Sequence, residues 1–121
     1  MAPAANGAQR LVQITLLGEA IEYLPVAVFV FDDRGRYVAV NEHGAQMLGY
    51  SRDELLQYRI GDLAEAPAEA LAAYQAVGAG EQAEAEARVR RKDGSVIALR
   101  FRGAATTIAG MPFYVGVAWE T

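Results

Sequence analysis

Cysteine is absent from the 121 residues. This excludes disulfides, thiolate zinc sites, iron–sulfur ligation and a cysteine nucleophile together, and it leaves the redox compartment open. Histidine occurs once, at His43. Lysine also occurs once, at Lys92, and the other basic residues are arginines. Lys/Glu enrichment is the commoner thermophile signal, so the arginine bias reads as coding preference. No stretch reaches the roughly 18 uninterrupted apolar residues of a membrane span. Met1 to Arg10 lacks the basic-then-apolar order of a signal peptide. The expectation is a cytoplasmic chain with no membrane insertion. A formal charge of −4 argues against a nucleic-acid partner, because phosphate binding needs a basic face.

What is present suits one globular domain, with 53% hydrophobic and 21% charged residues supplying a core and a solvated surface. Residues 1–8 are small, polar and Pro/Gly-containing, and read as a disordered lead-in. Leu11, Ile14, Leu17, Ile21 and Leu24 recur at helical spacing. They predict an amphipathic cap helix over 9–24, ending before Pro25. Such a helix packs on its own domain or on a second copy. Val26 to Phe31 is β-branched and aromatic, Asp32-Asp33-Arg34-Gly35 carries turn chemistry, and Arg36 to Val40 is the return strand. Asn41 stands as N-cap of a helix from Glu42 to Leu48, which Gly49 terminates.

Ser51-Arg52-Asp53-Glu54 has the form of a capping box and opens a short helix through Gln57. A second short helical piece is predicted over Ile60 to Leu63. Pro67 starts a third over Ala68 to Val77, closed by Gly78 and Gly80. From Ala83 the period becomes two, with Glu84, Glu86, Arg88 and Arg90 alternating against Ala85, Ala87 and Val89. Asp93-Gly94 is a hairpin signal leading to a strand from Val96 to Ala105. After the turn Ala109-Gly110, a last strand runs from Met111 to Trp119. Two strands, several short helices and three strands make an α+β domain with an antiparallel sheet.

Three blocks in this order resemble the PAS domain family. Val28 to Glu42 is similar to its opening hairpin, Leu48-Gly49-Tyr50-Ser51-Arg52-Asp53-Glu54-Leu55 to its "GYS-R-E-E-L" segment, and Arg90-Arg91-Lys92-Asp93-Gly94-Ser95 to its "R-K-D-G-S" hairpin. The resemblance implies a PAS domain over 25–121, with five strands in the order 2-1-5-4-3 and short helices over one face. It also implies a non-enzymatic sensory role, as the input module of a histidine kinase, a cyclase or another effector. The cavity between sheet and helices would hold haem, flavin, a small organic molecule or nothing.

The residues argue against the first two. Alignment places Ile60 where light-sensing members carry the cysteine that attacks flavin, and Ala118 where they carry a flavin-contacting glutamine. Haem needs an axial ligand, and the stretch 62–77, where the family's haem histidine lies, contains none. His43 reads as a surface residue, and Tyr74 would have to ligate as a tyrosinate without basic neighbours. Asp32, Asp33, Asp53 and Glu54 sit at turns and helix starts, where acids are favoured structurally, so no metal site is read there. The cofactor is left open.

Matching the strands to the family pattern turns Phe29, Phe31, Tyr37, Ala39 and Asn41 towards the helices, with Val89, Leu99, Phe101, Tyr114, Gly116 and Ala118 from the later strands. Met47, Leu71 and Tyr74 would form the roof. Apolar walls with a few polar handles describe a ligand pocket, and the expected ligand is small and apolar or aromatic. The alternative is a ligandless dimerisation or docking module. The opposite row, Phe113, Val115, Val117 and Trp119, should be covered by the cap helix of the same or a neighbouring chain, through Leu11, Ile14, Leu17 and Ile21, which makes a homodimer the expectation. The family's terminal Asp-Ile-Thr is replaced by Trp119-Glu120-Thr121, so the relay aspartate is missing.

Overall fold

The computed structural model describes residues 7–81 and 83–121. Helix α1 spans Gly7–Glu22, so Gly7 and Ala8 are helical, and the rest of the expected lead-in lies outside the described residues. Strands β1 (Ala27–Asp32) and β2 (Tyr37–Val40) follow, then α2 (Glu42–Leu48), α3 (Arg52–Leu55), α4 (Pro67–Gly78), β3 (Ala85–Arg90), β4 (Val96–Ile108) and β5 (Met111–Glu120). The five strands form one antiparallel sheet in the order β2-β1-β5-β4-β3, as the resemblance implied.

The turns and caps follow local chemistry. Asp32 accepts hydrogen bonds from the Arg34 and Arg36 N–H groups, both at 2.9 Å, which closes the first hairpin. Ser51 and Glu54 form the expected reciprocal capping box at the start of α3. That helix ends at Leu55, earlier than predicted, because Leu56 and Gln57 continue as a turn. Residues 60–63 are likewise a turn and not a helix, with Gly61 at φ 95°. Their main chain is used sideways: Arg90 N–H donates to Leu63 O at 2.7 Å, and Glu65 N–H to Arg88 O at 2.9 Å. This segment therefore covers the outer edge of β3, and a helix there would leave that edge open. Ala109 and Gly110, both at positive φ, make the tight two-residue turn between β4 and β5.

The core lies between the sheet and the helices, around Phe29, Phe31, Tyr37, Leu48, Leu55, Leu63, Ile97, Leu99 and Ala118. Leu48 and Leu55 are the largest fully buried side chains, and truncating a buried leucine costs about 2–5 kcal/mol. Ion pairs such as Arg88–Glu65 and Arg100–Glu86 sit on the exposed face and are worth about 0–1 kcal/mol each. Burial holds this fold, and the ion pairs decorate it.

The buried Asn41 joins three elements. Its Oδ1 accepts from Val28 N–H at 2.9 Å and from Gly44 N–H at 3.0 Å. Its Nδ2 donates to Ile21 O at 2.8 Å and to Val26 O at 2.9 Å. Replacing Asn41 with Ala removes four hydrogen bonds, one of them the N-cap bond to Gly44 N–H and another to the buried Val28 N–H, and should cost at least about 2 kcal/mol. Urea unfolding monitored by circular dichroism checks this. Asn41→Asp keeps the acceptor but turns a carboxylate towards two carbonyls, and should be destabilised as well.

Candidate functional site

A cavity of about 90 Å³ lies between the sheet and the helices. Its floor is the inward face of the sheet. Phe29 and Phe31 of β1, Tyr37 of β2, Val89 of β3, Leu99 and Phe101 of β4, and Tyr114, Gly116 and Ala118 of β5 all line it. Its roof is α4, through Ala70, Tyr74, Val77 and Gly78, with Leu48 of α2 and the 60–64 turn closing the side.

Four expected wall residues stand elsewhere. A β-bulge in the first hairpin pairs Phe31 with Tyr37 but Phe29 with Val40, which leaves one extra residue in β2. Val40 is therefore buried, while Ala39 is exposed and away from the cavity. Asn41 is buried, but its amide is consumed by the four hydrogen bonds described above and takes no part in the cavity wall. Met47 packs against the core from α2 without reaching the cavity, and its neighbour Leu48 takes that place. Leu71 is 41% exposed. The inward stripe of α4 runs through Ala70, Tyr74, Val77 and Gly78, positions spaced by three and four around Tyr74.

Helical spacing from Tyr74 could have found Val77 and Gly78, which the sequence reading missed. Leu63 and Gly61 carried no such signal, because they enter through a turn that looked helical. Ile60 lines the cavity, at the place the alignment gives to the photoreactive cysteine of light-sensing relatives.

Aromatic rings run in a chain across the site. Phe31 and Tyr37 have centroids 4.6 Å apart, Phe31 and Tyr74 meet edge-on at 5.3 Å, and Tyr74 and Tyr114 are 5.1 Å apart. Tyr114 also rests on Gly78, where an added Cβ would come within 2.7 Å of its ring. The small Gly116 and Ala118 side chains leave room beneath this chain.

The electrostatics are those of an apolar box. None of the described residues that line the cavity is charged. Burial, with some contribution from Tyr114 and Asp32, pushes the Tyr74 phenol above its ordinary range, and burial does the same to Tyr37. Tyr74 therefore stays protonated at neutral pH, which disfavours a tyrosinate haem ligand. Its Oη is enclosed and has no hydrogen-bond partner among the described residues. His43 is exposed on α2 and does not line the cavity. Among the described residues, no three His, Cys, Asp or Glu side chains come together as a metal site.

The residues expected to face a partner also have defined places. No residue of α1 is buried, and Leu11, Ile14 and Leu17 are more than 60% exposed, with Ile21 at 41%. Phe113, Val115, Val117 and Trp119 are half-buried along β5. Their side chains alternate with the cavity-facing Tyr114, Gly116 and Ala118. Val115 pairs with Val30, Val117 with Val28 and Arg102, and Trp119 with Arg100. Val115 and Val117 also border the cavity. None of the described helices is long and apolar enough to cross a membrane.

Similarity to known proteins agrees with this architecture. A PAS domain from a two-component sensor histidine kinase superposes with a TM-score of 0.80 at 18% identity, over 93% of this chain and 100% of that one. The PAS domain of an HTR-like protein from Haloarcula marismortui gives 0.76 at 22% identity, over 94% and 97%. A domain of a sensory box sensor histidine kinase/response regulator from Geobacter sulfurreducens gives 0.75 at 23% identity, over 93% and 98%. A search by sequence among curated proteins finds no match. The profile of the PAS domain family matches residues 25–118, which is all of the chain from the start of the first hairpin to the end of the cavity wall. The chain belongs to the PAS domain family.

Proposed function

We propose that this PAS domain is a sensory module that binds a small apolar or aromatic molecule in the cavity between sheet and helices. The observation that carries the reading is the cavity itself. A core made of this many aromatic side chains would ordinarily close on itself, since protein interiors pack to the density of organic crystals. Here space remains, walled by apolar groups with a polar handle, as in ligand sites. The likeness to domains from sensor histidine kinases supports a signalling output through a kinase or a related effector, with the domain itself non-enzymatic.

The relay runs through α1 in this reading. The cavity touches Leu48 of α2, the N-cap of α2 is Asn41, and Asn41 holds Ile21 O near the end of α1. Glu22 adds a second tie, accepting from Glu42 N–H at 3.1 Å and pairing with Arg52. A ligand that shifts α2 therefore shifts the base of α1. The second reading, a ligandless docking module, is favoured by α1 itself. Beyond those ties at its end, a helix with no buried residue and an apolar stripe gains no burial from this domain, and a partner surface would supply it. A second copy of the chain fits both readings, joined through Leu11, Ile14, Leu17 and Ile21 and the outer row of β5.

Three outcomes are expected. Purified protein shows neither a Soret nor a flavin band, and a stoichiometric band of either kind would refute the apolar-ligand chemistry. Denaturing mass spectrometry finds a small molecule in the wild type but not in Ala118→Leu, whose added carbons fill the ligand space with little change in the melting temperature. If the wild type is empty and the variant melts several degrees lower, the site is ordinary core, since overpacking costs roughly 1–3 kcal/mol, and the docking reading stands. Ile14→Glu with Ile21→Glu converts dimers to monomers in sedimentation, because charge in an apolar seam is left unpaired. A wild type already monomeric at high concentration ends the dimer proposal.

A further inference from the structure

Strand β4 runs on past its neighbour. Its register with β3 ends at Ala85 opposite Phe101, while β4 continues to Ile108. Residues 104–108 are exposed, and among the described residues nothing pairs with them on the β3 side. We propose that this open edge is a self-association site, where β4 of a second copy adds antiparallel about a two-fold axis at Thr106.

The ladder with β5 decides which main-chain groups are free. Ile108 and Met111 flank the two-residue turn, so they form a hydrogen-bonded pair, and such pairs recur at every second residue. Ala104 and Thr106 therefore spend their N–H and C=O groups on β5. Ala105 and Thr107 point theirs outward. The same alternation holds further back, where Thr121 N–H donates to Ala98 O at 3.1 Å on the β5 side.

The other edges of the sheet are guarded. Residues 63–65 cover β3, and beside β2 Tyr37 N–H donates to Tyr58 O at 3.1 Å. On the far side of the β4–β5 hairpin, β1 ends opposite Phe113. The next residue of β5 is Pro112, which has no N–H to offer. The end of β4 carries none of these devices. From Gly103 to Trp119 no residue is charged, so two identical edges meet without repulsion.

The register follows from what surrounds the edge. A two-fold at Ala105 would drive Ile108 of the second copy against Arg102, whose guanidinium pairs with Glu84 at 3.4 Å. A two-fold at Thr107 would need Ala109 in the ladder, but Ala109 sits in the turn at φ 51°. With the axis at Thr106, Ala105 of each copy exchanges hydrogen bonds with Thr107 of the other. Thr106 then faces itself, and small Ala104 faces Ile108, both favourable cross-strand pairs. So short a seam stays below about 1,200 Å² in total and is a transient contact. It is separate from the α1 seam, because α1 enters the sheet at Ala27, opposite Ala118 and far along β5 from the 109–110 turn.

The absence of native cysteine makes the test direct. Thr106→Cys and Thr107→Cys are made in the full chain and left to oxidise in air, and covalent dimers are followed on non-reducing gels. Facing residues of a non-hydrogen-bonded pair lie about 4.5 Å apart, within disulfide reach, whereas two copies of residue 107 are out of register. Thr106→Cys should therefore cross-link about tenfold faster than the equally exposed Thr107→Cys. Adding Thr107→Pro to Thr106→Cys removes an outward N–H without touching the β5 ladder. It should abolish the cross-link and leave the thermal melt near that of the wild type. Equal rates at 106 and 107 overturn the register, and a cross-link that survives Thr107→Pro overturns main-chain pairing. If neither cysteine cross-links, a second copy is not the occupant of this edge.

Discussion

One side-chain amide ties the ends of this domain together. Asn41 ends the first hairpin, caps α2 and receives the last turn of α1, and all four of its hydrogen-bonding positions are used. No other residue type satisfies this set. Two acceptors and two donors must diverge from one planar group in a buried place, and only an amide of this length offers both. An aspartate would cap α2 as well but would repel the carbonyls of Ile21 and Val26. Gly44 is the matching concession, since a Cβ there would lie 2.7 Å from Val40 and 3.2 Å from the Phe29 ring. Helix α2 thus rests directly on the hairpin, and the hairpin wall of the cavity is positioned by the same contact that sets the direction of α1.

The cavity has a complementary origin. Aromatic rings from β1, β2, α4 and β5 prop the sheet and the roof apart, because they prefer edge-on and tilted contacts to flat closure. Glycine and alanine on the floor then fail to fill the space between them. The ring of Tyr74 is placed by Phe31 on one side and Tyr114 on the other, and its hydroxyl has no hydrogen-bond partner among the described residues. A phenylalanine there would suit the fold at least as well.

The charged residues do a different job. Arg91 reaches from the β3–β4 connection to the Met47 carbonyl and to Glu120, and Lys92 pairs with Glu54. These contacts fasten that connection to the ends of α2 and α3 on the exposed side. Their individual worth is small in water, and they serve mainly to fix which way the loop lies. The interior, by contrast, holds no charged side chain among the described residues.

Much of this was legible from the residues alone, because it depends on chemistry that acts over a few neighbours. Asn41 and Gly49 bound α2, Ser51 and Glu54 close a box, and the alternation from Ala85 to Arg90 sets which side of β3 is wet. The order of three motif blocks was enough for the family and the sheet topology. What the sequence could not display was decided by contacts between distant segments. The bulge that turns Ala39 outward and Val40 inward exists because β2 must pair with β1 while handing Asn41 to α2. The turn at 60–63 is not helical because its main chain is needed at the edge of β3. Leu71 and Met47 lost their places to Val77 and Leu48 because the rotation of a helix about its axis is set by what it packs against. Local chemistry named the pieces. The volume left among them arose only when the whole chain closed.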